Sequence, residues 1–416
     1  MKKQKLLVLA GALLIGSGAL VGCGKKTTTT SSGGGQVSSG GTQTSEQTGP
    51  IKLTVWSPAE DQEFMNEAIA RFEAANIDEE YDFTFEGISE ADAATKVTQD
   101  INTAADVFHF AGDQLVPLTD AGALFQIPTA FASRLGMDEG VLKSGQVDEE
   151  QYGIPFTPNT YFMYYDADVY TAEEVKDLDV MLAKDLTGKY DYNIAIDLDN
   201  GWYGQSFMYS AGATMANTAD PKAQFEGETR AAVDKIYELA KNDKVVNDGG
   251  AGKFGAATGG CAAFISGTWD APKADSTINW NATALPQMTI GGKKTPWKAV
   301  GDYKMIGVNS VSKNPSKAAK FVAFLSTPEI QTLRYQMRQT APTNKTAIEQ
   351  NPDLASNKAV AAQTLTLANT FAQPSVAYNA NGFWSGWEGL YPSIETAANA
   401  DAAYAAFETF NAALVA

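Results

Sequence analysis

Between Ile51 and Ala111 the apolar residues switch repeatedly from a period of two to a helical period, and this alternation restricts the fold more than any other feature. Ile51, Leu53 and Val55 alternate with Lys52, Thr54 and Trp56 up to Ser57-Pro58, which predicts a strand. From Asp61 to Asn76, Phe64, Ala68, Phe72 and Ala75 recur at spacings of three and four, with Met65 and Ile69 beside them, which predicts a helix. Tyr81, Phe83 and Phe85 alternate again, Ala91 to Ile101 reads as a helix, and Val107 to Ala111 as a third strand. A βαβαβ order implies an α/β fold with parallel strands covered by helices.

Similar elements continue beyond Tyr152-Gly153-Ile154-Pro155. Tyr192–Ile196 and Ala262–Ile265 read as strands, and Ser206–Ala216, Glu228–Lys241, Lys317–Leu325 and Ala397–Leu414 as helices. About 366 residues follow Pro50, enough for two ordinary domains. No fixed-period repeat suggests a solenoid.

Before Ile51 the chain is of another kind. Lys2, Lys3 and Lys5 precede an apolar run from Leu6 to Leu20, shorter than the roughly 20 residues of a membrane span and built as a secretory signal over 1–22. Leu20-Val21-Gly22-Cys23 resembles the lipobox of bacterial lipoproteins, which implies cleavage before Cys23 and lipidation of its sulfur. Two acyl chains there would hold stably, since each buried CH₂ contributes about 0.8 kcal/mol. From 23 to 50, Gly, Ser, Thr and Gln dominate, a composition that cannot offset chain entropy and reads as a flexible tether with an r.m.s. span of roughly 28 Å.

With Cys23 lipidated, only Cys261 remains as a thiol, so no intramolecular disulfide can form, and Cys261 reads as a small buried hydrophobe. The net charge of −18 argues against nucleic acid or an anionic membrane surface as a partner. Serine or cysteine catalysis would call for a histidine, and His109 is the only one, placed by alternation on the third strand as a structural residue. One histidine and one thiol supply no metal cluster, and no cofactor is expected.

The order Ile51-Lys52-Leu53-Thr54-Val55-Trp56, Ala105-Asp106-Val107, Tyr152-Gly153-Ile154-Pro155, Tyr164-Tyr165-Asp166, Phe264-Ile265-Ser266-Gly267-Thr268-Trp269, Leu285-Pro286, Ser316-Lys317-Ala318-Ala319 and Phe383-Trp384 resembles the extracellular carbohydrate-binding receptors of ABC importers. The maltose/maltodextrin-binding branch fits best. The resemblance implies a two-lobed, periplasmic-binding-protein-like α/β fold with three interlobe crossings and a ligand cleft between the lobes. It puts one lobe at 51–158 plus 305–350 and the other at 159–304 plus 351–416. It also implies a monomer on the extracellular face of the cell membrane, tethered through Cys23, with the permease subunits of an importer as partners.

A sugar ring presents an apolar C–H face and a rim of hydroxyls, so its receptor needs flat aromatic surfaces beside fixed polar groups. By resemblance, Trp269 and Trp384 are stacking platforms, one of Trp202 and Tyr203 is another, and Trp387 either extends the platform or packs in the core. Asp199 to Tyr203 is expected to be a loop. Phe110 stands where close relatives carry tryptophan. Asp113 matches the acidic residue that grips adjacent hydroxyls, Glu60 an acidic position after the first strand, and Asp61 a place where a basic residue is frequent. Asn159 replaces a carboxylate. A receptor for a different oligosaccharide, a polyamine or a ferric ion could share the fold, and a secreted glycoside hydrolase would also need aromatics and paired carboxylates.

Overall fold

The computed structural model describes residues 49–216, 222–272, 276–373 and 382–416; the signal segment, Cys23 and the tether up to 48 lie outside them. In chain order the main strands are β1 Ile51–Ser57, β2 Tyr81–Gly87, β3 Val107–Ala111, β4 Gly153–Asn159 and β5 Phe162–Asp166. They continue with β6 Ile194–Ile196, β7 Val245–Asn247, β8 Ala263–Ser266, β9 Trp280–Thr283 and β10 Asp302–Val308. These build two five-stranded sheets, ordered β2-β1-β3-β10-β4 and β7-β6-β8-β5-β9.

In the first sheet β1 pairs in parallel with β2 and β3, as the βαβαβ reading requires. The sheet is then extended by β10 and β4, both joined by antiparallel pairing. The helix Gln62–Ala75 turns Phe64, Met65, Ala68 and Phe72 onto one face of this sheet, where Phe321, Val322 and Leu325 of the helix Pro315–Leu325 join them. The other face is closed by Ala93, Ala94 and Val97 of the helix Glu90–Gln99, capped by Ser89. Cores on both faces bury Val107 on one side of β3 and Phe108 and Phe110 on the other.

The chain leaves the first sheet at Asn159 and enters the second at Phe162, so the first crossing is only Thr160-Tyr161. It returns at Gly301, immediately before β10, which means the expected break after Lys304 falls inside a strand. Gly301 has no space for a side chain, because a Cβ there would lie 2.3 Å from Thr370 Oγ1.

The helix after β6 differs from expectation. It spans Gly201–Ala211, because Asn200 caps it by accepting a hydrogen bond from Trp202 N at 3.0 Å, and the polar-aromatic stretch is therefore its first turn. Gly204 on that helix lies against the indole of Trp387, where a Cβ would come within 2.3 Å of Cζ2. That close approach seats the helix Phe383–Thr396 in the second core. Among the described residues, no helix is long and apolar enough to cross a membrane.

Candidate functional site

In sheets with parallel strands, ligands are met at the carboxyl ends. Here the ends of β1, β2 and β3 carry Glu60 and Asp61, Ser89 and Glu90, and Asp113. The end of β4 and the start of β10 reach the same edge, since Asn159 and Asp302 are register partners. Across from them, β6 and β8 run into the turns bearing Trp202 and Trp269. Together they enclose a cleft of about 640 Å³, within the usual range for a small-molecule site.

Seven of the residues singled out in the sequence line this cleft: Glu60, Asp61, Asp113, Asn159, Trp202, Trp269 and Trp384. Trp269 is 39% exposed, and its ring centroid lies 5.7 Å from that of Trp202 at an interplanar angle of 44°. Two aromatic surfaces at such an angle follow a bent ligand better than a flat one. Trp384 is the second residue of the helix Phe383–Thr396, which follows Gly382, whose φ of 74° is readily adopted only without a side chain.

Three expected residues are elsewhere. Phe110 is fully buried: on β3 it falls on the face of Phe108, 5.8 Å away, and packs over Gly153 rather than toward the cleft. Tyr203 lies behind Trp202 against Tyr161, and burial pushes its phenol far above the ordinary range, so it is a neutral core residue. Trp387 is also core, 1% exposed, with its indole N–H donating to Leu198 O at 3.1 Å. The resemblance placed these rings near the site but could not give the side on which each element packs.

Asp61 is in the cleft wall, but its carboxylate is already engaged. Oδ1 accepts from Arg338 Nε at 2.7 Å, and Oδ2 accepts from Arg334 Nη2 at 3.2 Å and from Ser57 Oγ at 3.1 Å. Burial alone would raise its pKa; Arg334, with His109 and Arg338, outweighs that and holds the carboxyl well below the usual carboxylate range. Asp61 therefore orients two arginines instead of offering itself to a ligand. His109 stands near this group, pushed down to about 4 by burial, so at neutral pH it is uncharged.

Asp113 accepts a hydrogen bond from Gln114 Nε2 at 2.9 Å. Beside it, Asp302 is pushed up to about 7 by burial and by the Asp113 charge. Gly112 makes room for this pair, since a Cβ there would lie 2.2 Å from Asp302 Oδ1. In its protonated form the Asp302 carboxyl both donates and accepts, so the pair can offer hydroxyls a mixed set of partners.

Asp302, Lys304, Glu90, Arg334 and Arg338 also line the cleft and were not singled out in the sequence. The arginines left a usable signal: they are two of only five in the chain and sit four apart in the helix Pro328–Arg338. Glu90 and Lys304 left none, because 214 positions separate them and only the fold brings Lys304 Nζ to 3.0 Å from Glu90 Oε1. Among the described residues, no group of acidic, histidine or cysteine side chains is placed to hold a metal ion, and burial pushes the Cys261 thiol up to about 12.

The family model for bacterial extracellular solute-binding proteins matches residues 67–362. The chain belongs to that family. This solute-binding protein is 31% identical to the protein of a solved structure with acarbose, at a TM-score of 0.79, the match covering 88% of this chain and 99% of the other. The Thermus thermophilus maltotriose binding protein bound with maltotriose has the same fold at 19% identity and a TM-score of 0.72, covering 87% and 99% of the two chains. The galactooligosaccharide-binding protein of Bacillus subtilis is 24% identical over an aligned length of 409 residues, the match covering 90% of this chain and 87% of that one. The solute-binding protein thus has the two-lobed fold of these neighbours, with its cleft between the lobes.

Proposed function

We propose that this protein is an extracellular receptor that captures an oligosaccharide, an α-1,4-glucan of the maltodextrin type, for uptake by an ABC importer. The observation that carries the reading is the convergence of Trp202, Trp269 and Trp384 with Asp113, Asn159 and Asp302 in one cleft. Covering about 80 Å² of sugar C–H surface contributes roughly 2 kcal/mol per platform at about 25 cal/mol per Å². Three platforms with hydrogen bonds, less the cost of ordering, suit a micromolar complex of about −8 kcal/mol. Maltotriose in one structural neighbour and acarbose in another support the choice of glucan.

Isothermal titration calorimetry against maltotetraose, cellotetraose and a galactooligosaccharide tests the substrate. Tight binding of maltotetraose alone is expected. Preference for the galactooligosaccharide, the ligand class in the name of the Bacillus subtilis relative, would replace the glucan while keeping the receptor. Hydrolysis of any of the three would turn the carboxyl pair Asp113 and Asp302 into a catalytic one and overturn the binding role.

The same reading places the body outside the cell as a monomer, held to the membrane by lipid on Cys23 and presenting its loaded form to the permease. Cys23→Ala should abolish incorporation of a fatty-acid analogue; label retained in that variant would remove the anchor from the proposal.

A further inference from the structure

We infer that Lys304 is a specificity-determining gate on the Trp269 platform, a role that rests on the receptor reading above. Its ammonium lies over the Trp269 ring, 5.2 Å from the centroid, and is held there by Glu90 Oε1 at 3.0 Å. All three side chains line the cleft. The clasp reaches across it: Glu90 begins the helix Glu90–Gln99 of the first lobe, Lys304 lies on β10, and Trp269 follows β8 of the second lobe.

The indole is also packed closely within its own lobe. Gly267 lies directly against it, so closely that a Cβ there would come within 2.0 Å of Cζ3 and 2.1 Å of Cη2. Trp202 flanks the same ring at 5.7 Å. Lys304 covers the Trp269 ring on the cleft wall, where a sugar ring would stack. A ring and an ammonium cannot both occupy it, so stacking must break a cation–π contact and move a cation anchored by a partly buried carboxylate. Glu90 sets the strength of the gate: burial opposes its charge, and Lys304 more than compensates, holding the carboxyl below its ordinary range.

Competition of this kind makes affinity a difference between two occupants of one surface. A ligand that covers the whole indole and bonds the freed ammonium would be admitted; a short sugar that covers part of it would not. Removing the ammonium should consequently tighten binding and narrow the preference for longer chains.

Lys304→Ala is expected to bind maltotetraose about three- to tenfold more tightly in calorimetry, the range expected for loss of one partly exposed cation–π contact. The gain for maltose should be larger. Glu90→Gln, which loosens the anchor and leaves the lysine in place, should shift affinity the same way by less, and it keeps the test open should Lys304→Ala fold poorly. Acrylamide quenching without sugar reads the clasp itself: Lys304→Ala should raise the quenched fraction, and the rise should vanish on a Trp269→Phe background. Weaker or unchanged maltotetraose binding by Lys304→Ala, or unchanged quenching, overturns the gate. Absence of binding to every sugar by the wild-type protein would instead fail the receptor reading, with the quenching result still deciding whether Lys304 covers Trp269.

Discussion

Asp61→Ala lowers the stability of the folded protein by about 3–5 kcal/mol, the cost of breaking a buried ion pair from one side. Asp61 is 1% exposed and its carboxylate pairs with both Arg334 and Arg338. Removing it leaves Arg334, itself 6% exposed and stacked over Phe156 at 4.5 Å, with Thr340 Oγ1 as its remaining hydrogen-bond partner. Among the described residues Arg334 Nε already has no partner, so the variant adds a second unmet donor. Urea titration measures the loss. The pH dependence has a definite sign: the folded carboxyl titrates below its unfolded value, so this stabilisation is complete above about pH 5 and is lost as pH falls through about 4 and below. Asp61→Asn should accordingly be less stable than wild type at neutral pH and lose less on acidification. Equal acid sensitivity of the two proteins would mean that Asp61 is not the carboxylate that holds the arginines.

Trp269→Ala weakens sugar binding by about 2–4 kcal/mol, roughly 30- to 1,000-fold, through lost stacking area. Because the side chain is 39% exposed in the cleft wall, the folded protein should keep its thermal stability. The two quantities separate the roles. A variant that melts several degrees lower while its folded fraction binds maltotetraose normally would make Trp269 a packing residue. Trp387→Ala provides the contrast: its ring is buried against Gly204 and hydrogen-bonded to Leu198 O, so its main effect belongs on stability.

The contrast between these two tryptophans marks how far the sequence could be read. Trp269 was assigned to the cleft by resemblance, and it lines the cleft after a short apolar strand and Gly267-Thr268. Trp387, three positions after Trp384, and Phe110, three before Asp113, adjoin cleft residues in the chain yet face inward. Their orientation depends on the helix of Gly204 packing against Trp387 and on Leu115 and Met305 closing over Gly153 beside Phe110. Asp61 illustrates the same limit for charge: its type and position were visible, but not that Arg334 and Arg338, more than 270 positions away, already occupy it.

Local periodicity by itself determined the βαβαβ start and six of the helices, the one after β6 displaced, since each follows from patterns within a few residues of one another. Only the tertiary structure decided the antiparallel extension of the first sheet by β4 and β10, the burial of Phe110, Tyr203 and Trp387, and the meeting of Glu90, Lys304 and Trp269 across the cleft. These depend on contacts between residues far apart in the chain, where no repeat or spacing records which side chain will meet which, and where burial and charge are set by the partner that the fold delivers.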